Sequence, residues 1–152
     1  MSGRSNIESY HFDDVKAKVN RALKDFLETD SQLLELSANE QAATHRIAGY
    51  LQKYFVDWHV DCEYNRKNAI PKKLQGELVK PDILVHRRNT NDNLLCIEAK
   101  KLGGSIDDDK KKLCRFTNPT GEYKYRFGLM MILSLDAPYK IDCEWYRDGN
   151  AI

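Results

Sequence analysis

Apolar positions along the chain change period twice, and those changes mark out the elements. From residue 8 to 28 they recur at Val15, Val19, Leu23, Phe26 and Leu27, which predicts an amphipathic helix. Ser37 offers an N-cap for a second helix running to about Phe55, with its stripe at Ala43, Ile47, Tyr50, Leu51 and Tyr54. The period then shortens to two. WHVDCEYNR alternates and predicts a strand, and NRKNAIPKKLQGEL, punctuated by Pro71 and Gly76, predicts a polar loop. PDILVH and NLLCIEA, separated by NTND, predict a hairpin of strands over about 79–87 and 93–100. GGSIDDD ends that pattern and leads into a short helix, DDKKKLCRFTN, closed at Asn118–Pro119. YRFGLMMILS reads as a fully apolar central strand, and YKIDCEWYR as a last strand at the sheet edge.

The order is therefore ααβββαββ. Three sequential strands, a helix and a further strand imply a mixed sheet with a right-handed crossover and helices on both faces. The expected class is α/β, a three-layer sandwich with the hairpin at its heart. At 152 residues the chain makes one domain, long enough to bury a proper core.

Composition narrows the function classes. Hydrophobic residues make up 41% and charged residues 31%, ordinary values for a globular protein. A formal net charge of +1 excludes a strongly basic polyanion binder, so any nucleic-acid footprint is local. The apolar runs fall short of the ~18 residues a membrane span needs, and MSGRSNIESYHFDD lacks the apolar core of a signal peptide. The expected compartment is the cytoplasm, with no membrane partner. Cysteines at 62, 96, 114 and 143 form no CxxC pair, which argues against a zinc ribbon. Cys62, Cys96 and Cys143 sit in strand-like runs and read as small reduced core residues.

The hairpin carries acid where its neighbours demand burial. Side chains alternate along a strand, so Glu98 and Lys100 share one face while Leu95, Ile97 and Ala99 take the other. The start of the first hairpin strand meets the end of the second, which brings Asp82 to the Glu98–Lys100 end. Two carboxylates and a lysine so placed suit Mg2+ or Mn2+, a hard ion that needs one or two carboxylates and keeps several waters. Such an ion polarises a phosphoryl oxygen and helps generate a hydroxide nucleophile. Adjacent carboxylates favour the charged form of Lys100, so an electrostatic and positioning role suits it better than a base.

Asp82, a 15-residue spacer and then Glu98-Ala99-Lys100 resemble the motif of the PD-(D/E)xK nuclease superfamily, which includes restriction-endonuclease-like and Holliday-junction-resolvase-like enzymes. HRIAGYLQKYF, VDCEYNR, PDILVHRR and NLLCIEAKK also resemble small stand-alone bacterial proteins of no assigned substrate. The resemblance spans about 37–135, leaving 1–36 as a helical extension and 136–152 as a final strand and tail. It implies a restriction-endonuclease-like fold. It also implies that Asp82 and Glu98 are metal ligands, that the Ala99 carbonyl and Glu40 are further ligands, and that Lys100 is the active-site lysine. The helix after the motif contributes a basic residue in many members; Lys112 matches best, with Lys110 and Lys111 as alternatives.

Each feature has a plainer reading. Glu40 lies three residues after Ser37 and fits a capping box. The DDDKKK run reads as a solvated helix start, its acids favoured by the helix dipole, so Asp107 to Asp109 are left out of the site. Arg66, Lys72, Arg87, Lys101 and Lys112 are candidate contacts to a phosphate backbone, or else ordinary surface charge. Two functions follow: a metal-dependent nuclease acting on DNA or RNA, or a catalytically silent relative that binds nucleic acid or another protein. With no added recognition domain expected, specificity would come from a homodimer or a partner protein.

Overall fold

The computed structural model describes residues 11–32, 34, 40–62, 81–134 and 136–152. Ser37, Arg66 and Lys72 fall outside these. Helix α1 (Phe12–Asp30) opens with Asp13 and Asp14 in its first turn, where the helix dipole favours acids. It buries Val15, Val19, Ala22, Leu23 and Phe26 along one stripe. Helix α2 (Glu40–Tyr54) buries Ala43, Thr44, Ile47, Ala48 and Leu51. Its tyrosines point back at α1, where the Tyr50 hydroxyl donates to Asp30 and the Tyr54 hydroxyl to Asp25.

The strands are β1 (His59–Cys62), β2 (Ile83–His86), β3 (Asn93–Lys101), β4 (Phe127–Leu133), β5 (Ile141–Arg147) and β6 (Asn150–Ala151), with helix α3 (Asp107–Thr117) between β3 and β4. Among the described residues these six strands form one sheet in the order β1-β2-β3-β4-β5-β6. All neighbours are antiparallel except β3 and β4, which the α3 crossover makes parallel. The α/β class and the mixed sheet match the sequence expectation.

Strand alternation then sorts the core into two layers. Ile83, Val85, Leu95, Ile97, Ala99, Leu129, Met131 and Leu133 pack with α1 and α2. Leu84, Cys96, Met130 and Tyr146 pack instead with Leu113 and Phe116 of α3. Helix α1 belongs to the larger cluster, so the segment expected as an extension supplies part of the core.

Three sequence readings are corrected. YKIDCEWYR is not the edge: β5 turns through Asp148 and Gly149, with φ of 53° and 82°, and pairs with β6. A two-residue turn with both φ values positive suits Asp-Gly and matches the right-handed twist of the flanking strands. Asp82 precedes β2 and lies outside the strand proper. Cys143 is exposed, and only Cys96 of the four cysteines is fully buried, because β5 lies toward the margin of the sheet.

Gly128 lets α3 sit close on β4. A Cβ there would lie 3.1 Å from Thr117 Cγ2 and 3.3 Å from both Leu113 Cδ2 and Tyr146 Cβ. Gly128→Val should therefore cost about 1–3 kcal/mol through overpacking, read as a lower midpoint in urea unfolding. An unchanged midpoint would mean that α3 does not seat on Gly128.

Candidate active site

Strand β3 continues past the end of β2, and the site grows from that mismatch. Ile83 pairs with Ile97, so β2 runs out where β3 reaches Glu98. Residues 97, 99 and 101 direct their amides to the β2 side, and Ala99 and Lys101 have no β2 residue opposite them. Side chains fill both places. Asp82 Oδ2 accepts the Ala99 N–H at 2.9 Å, and Glu40 Oε2 accepts the Lys101 N–H at 3.2 Å. The Ala99 carbonyl points to the same side as its N–H.

Between these acids and α3 lies a cavity of about 210 Å3 lined by Glu40, Gln41, Thr44, Asp82, Glu98, Ala99, Lys100, Asp109 and Lys112. Four parts of the chain build it: the start of α2, Asp82 just before β2, the end of β3 and the first turns of α3. Glu98 is 1% exposed, a carboxylate held inside the fold. Lys100, on the same strand face, reaches Asp109 Oδ2 with its Nζ at 3.3 Å. Lys112 Nζ takes the other oxygen of Asp109 at 3.5 Å. Burial alone would lower the proton affinity of Lys100. The charge and hydrogen bond of Asp109, with the charges of Glu40 and Asp82, outweigh burial and raise its pKa.

Asp82, Glu98, Ala99, Lys100, Glu40 and Lys112, all expected at the site, line this one cavity. Lys110 instead reaches Glu144 on β5 at 3.3 Å. Lys101 contributes its amide, while its side chain lines a neighbouring cavity. Arg87 stands at the turn end of the hairpin, away from the acids. It bonds Asp92 at 3.0 Å and the Asp57 carbonyl at 3.3 Å, and stacks its guanidinium 4.1 Å from the Trp58 ring.

The sequence reading missed Asp109, and with it Gln41 and Thr44. Asp109 is 7% exposed. Asp109, Leu113 and Phe116 are the buried side chains of α3 at i, i+4 and i+7, together with Thr117. That stripe was present in DDDKKKLCRF and could have separated Asp109 from Asp107 and Asp108.

Among the described residues no group of three or more His, Cys, Asp or Glu side chains is gathered to hold a metal. Oxygens of Asp82, Glu40 and Asp109 each face an N–H or ammonium donor. Comparison with protein-family models, with curated proteins and with solved structures returns no match.

Glu98→Gln keeps the side chain's shape and removes a buried negative charge beside other acids. Without divalent metal the variant should melt at the wild-type temperature or above it, by differential scanning calorimetry. A clear fall would mean that the Glu98 charge itself holds the fold together.

Proposed function

We propose that this chain is a metal-dependent phosphodiesterase that cuts a polynucleotide strand, DNA or RNA, on a restriction-endonuclease-like frame. The observation that carries this reading is the convergence of Asp82, Glu98 and Lys100 in one cavity, with Glu40 and Asp109 completing its wall. The order of α2, three strands, α3 and β4 agrees with that frame.

Charge supports the reading. The lining holds four carboxylates against two ammoniums, a formal surplus of two negative charges. A polyanion entering such a cavity is repelled unless a cation comes with it, and a divalent ion matches the surplus. The donors are all oxygen, which suits Mg2+ or Mn2+ rather than a thiolate-seeking metal. Asp82, Glu98 and the Ala99 carbonyl would hold the ion, with Glu40 reaching it through water. When bound, it supplies Lewis-acid polarisation of the phosphoryl oxygen and a more acidic water.

The chain's own groups do the rest. Asp109 anchors the Lys100 ammonium on a helix, so the charge stands in place before substrate arrives. Its raised pKa keeps Lys100 protonated near neutrality, so it acts by stabilising charge on the reacting phosphoryl group and orienting water, not as a base. Lys112 answers the second Asp109 oxygen and adds positive charge at the cavity wall. One observation favours the silent binding module: Asp82, Glu40 and Asp109 already have protein donors, so the same acids can serve to cap the end of β3 and to tie Lys100 to α3.

Metal titration separates the two readings. A ligand that binds only the native state raises its melting temperature with concentration. Mg2+ or Mn2+ should do so for the wild type, and Glu98→Gln should flatten the response. Equal responses would remove Glu98 from the ligand set.

Lys100→Met keeps most of the stem and deletes the ammonium. Cleavage in Mg2+ should fall at least ~10²-fold, the scale of losing one charge-stabilising donor. Affinity for the same oligonucleotide, measured in Ca2+ at fixed salt, should change far less. Equal losses in rate and affinity would make Lys100 a phosphate contact only. A wild type that binds DNA and RNA but cuts neither, in either metal, would leave the binding module standing.

A further inference from the structure

A second cavity, of about 540 Å3, adjoins the strand ends that build the first and is lined by Lys101, Leu102, Ser134, Asp136, Pro138 and Lys140. Lys101 pairs with Leu133 at the end of the parallel β3–β4 ladder, and Ser134 follows directly. The Leu102 amide donates to the Leu133 carbonyl at 2.8 Å, and the Ser134 amide to the Lys140 carbonyl at 3.0 Å. These bonds fix the cavity floor to the same strand ends that carry Lys100. Ligands in open α/β sheets gather at the carboxyl ends of parallel strands.

The lining has the chemistry of a nucleotide unit. Lys101 and Lys140 supply two ammoniums against one carboxylate, Asp136. Lys140 also stands 3.8 Å from Asp142, with both side chains more than half exposed. Such a pair contributes little and yields readily to a stronger anion. Leu102, 62% exposed, and Pro138 give an apolar wall on which a sugar or base face can rest.

Ser134 supplies the independent observation. It is 7% exposed, and its Oγ is enclosed with no hydrogen-bond partner among the described residues. A buried hydroxyl left unsatisfied costs about 1–3 kcal/mol, so alanine would be the better packing residue. Ser134 lines the cavity, and a phosphate oxygen that reached its hydroxyl there would accept its proton. We propose that this cavity binds the phosphate of the nucleotide next to the one in the acidic cavity. Lys101, Lys140 and Ser134 grip the phosphate, and Leu102 and Pro138 support its sugar or base. The proposal rests on the polynucleotide reading above, yet it concerns binding and stands or falls without turnover.

The test is equilibrium binding of a fluorescein-labelled DNA oligonucleotide, and of its RNA counterpart, in a fixed concentration of Ca2+ across a salt series. Lys140→Ala should weaken binding roughly tenfold and lower the salt slope by about 1. Ser134→Ala should weaken binding about threefold or more while its melting temperature holds or rises, since an unsatisfied hydroxyl has gone. Lys24→Ala, which removes an exposed lysine from α1, is the charge control and should bind as wild type does. Wild-type affinity in both Lys140→Ala and Ser134→Ala would overturn the proposal. So would equal losses in Lys24→Ala and Lys140→Ala, or a wild type that binds neither oligonucleotide. Weakened binding by the two cavity variants, beside a wild type that never cuts, would uphold this subsite and reject the phosphodiesterase.

Discussion

The structure turns on two backbone amides. Strand β3 outruns its partner β2, and the N–H groups of Ala99 and Lys101 reach past the end of the ladder. A buried amide without an acceptor costs as much as a lost hydrogen bond or more, which makes an acceptor obligatory for the half-buried Ala99 N–H. The Lys101 N–H lies toward solvent and gains from its acceptor without requiring one. Asp82, just before β2, and Glu40, at the start of α2, supply the two acceptors. The same carboxylates are thereby held beside Glu98 with their positions set by β3. A structural requirement of the sheet and the assembly of an acidic cavity have one solution.

That solution has to be made tolerable electrostatically. Glu40 and Asp109 both occupy the first turn of a helix, where the exposed amide ends favour negative charge. Asp109 is further answered by two ammoniums, Lys100 and Lys112. Glu98, 1% exposed, is the most buried of these acids, so the largest desolvation penalty falls there. Such local conflict is what a sheet core avoids when packing is its only task, and it concentrates at functional sites.

How much of this was legible follows from which rules are rigid. A period of two is strict, so placing Glu98 and Lys100 on one face and Ile97 and Ala99 on the other needed no structure. Hairpin geometry was equally firm in bringing Asp82 to the far end of β3. The same geometry puts Arg87 at the turn, a strand's length from the acids; proximity in sequence to PDILVH suggested otherwise and was the weaker guide. The restriction-endonuclease-like frame came from resemblance, whereas the α/β class and mixed sheet came from pattern. Asp109 was lost because acids at a helix start have an adequate reading as dipole partners. Only the stripe through Leu113 and Phe116 distinguishes the buried one. The strand β6 was lost because two residues carry no periodicity, although Asp148-Gly149 is itself a hairpin signal.

A net charge of +1 looks at first like a poor match for a polynucleotide. It becomes reasonable once charge is resolved by place. The acidic cavity carries a local surplus of two negative charges that a divalent cation can cancel, while Lys101 and Lys140 line the second cavity at the same end of the sheet. A polyanion would then find an attractive track only when the cation is present, with the lysines holding the strand on one side of it. On this account metal dependence extends to substrate capture as well as chemistry. A chain whose surface was basic throughout would bind nucleic acid regardless of metal. On the proposed reading, near-neutrality would keep that background low and leave capture to the metal and to Lys101 and Lys140.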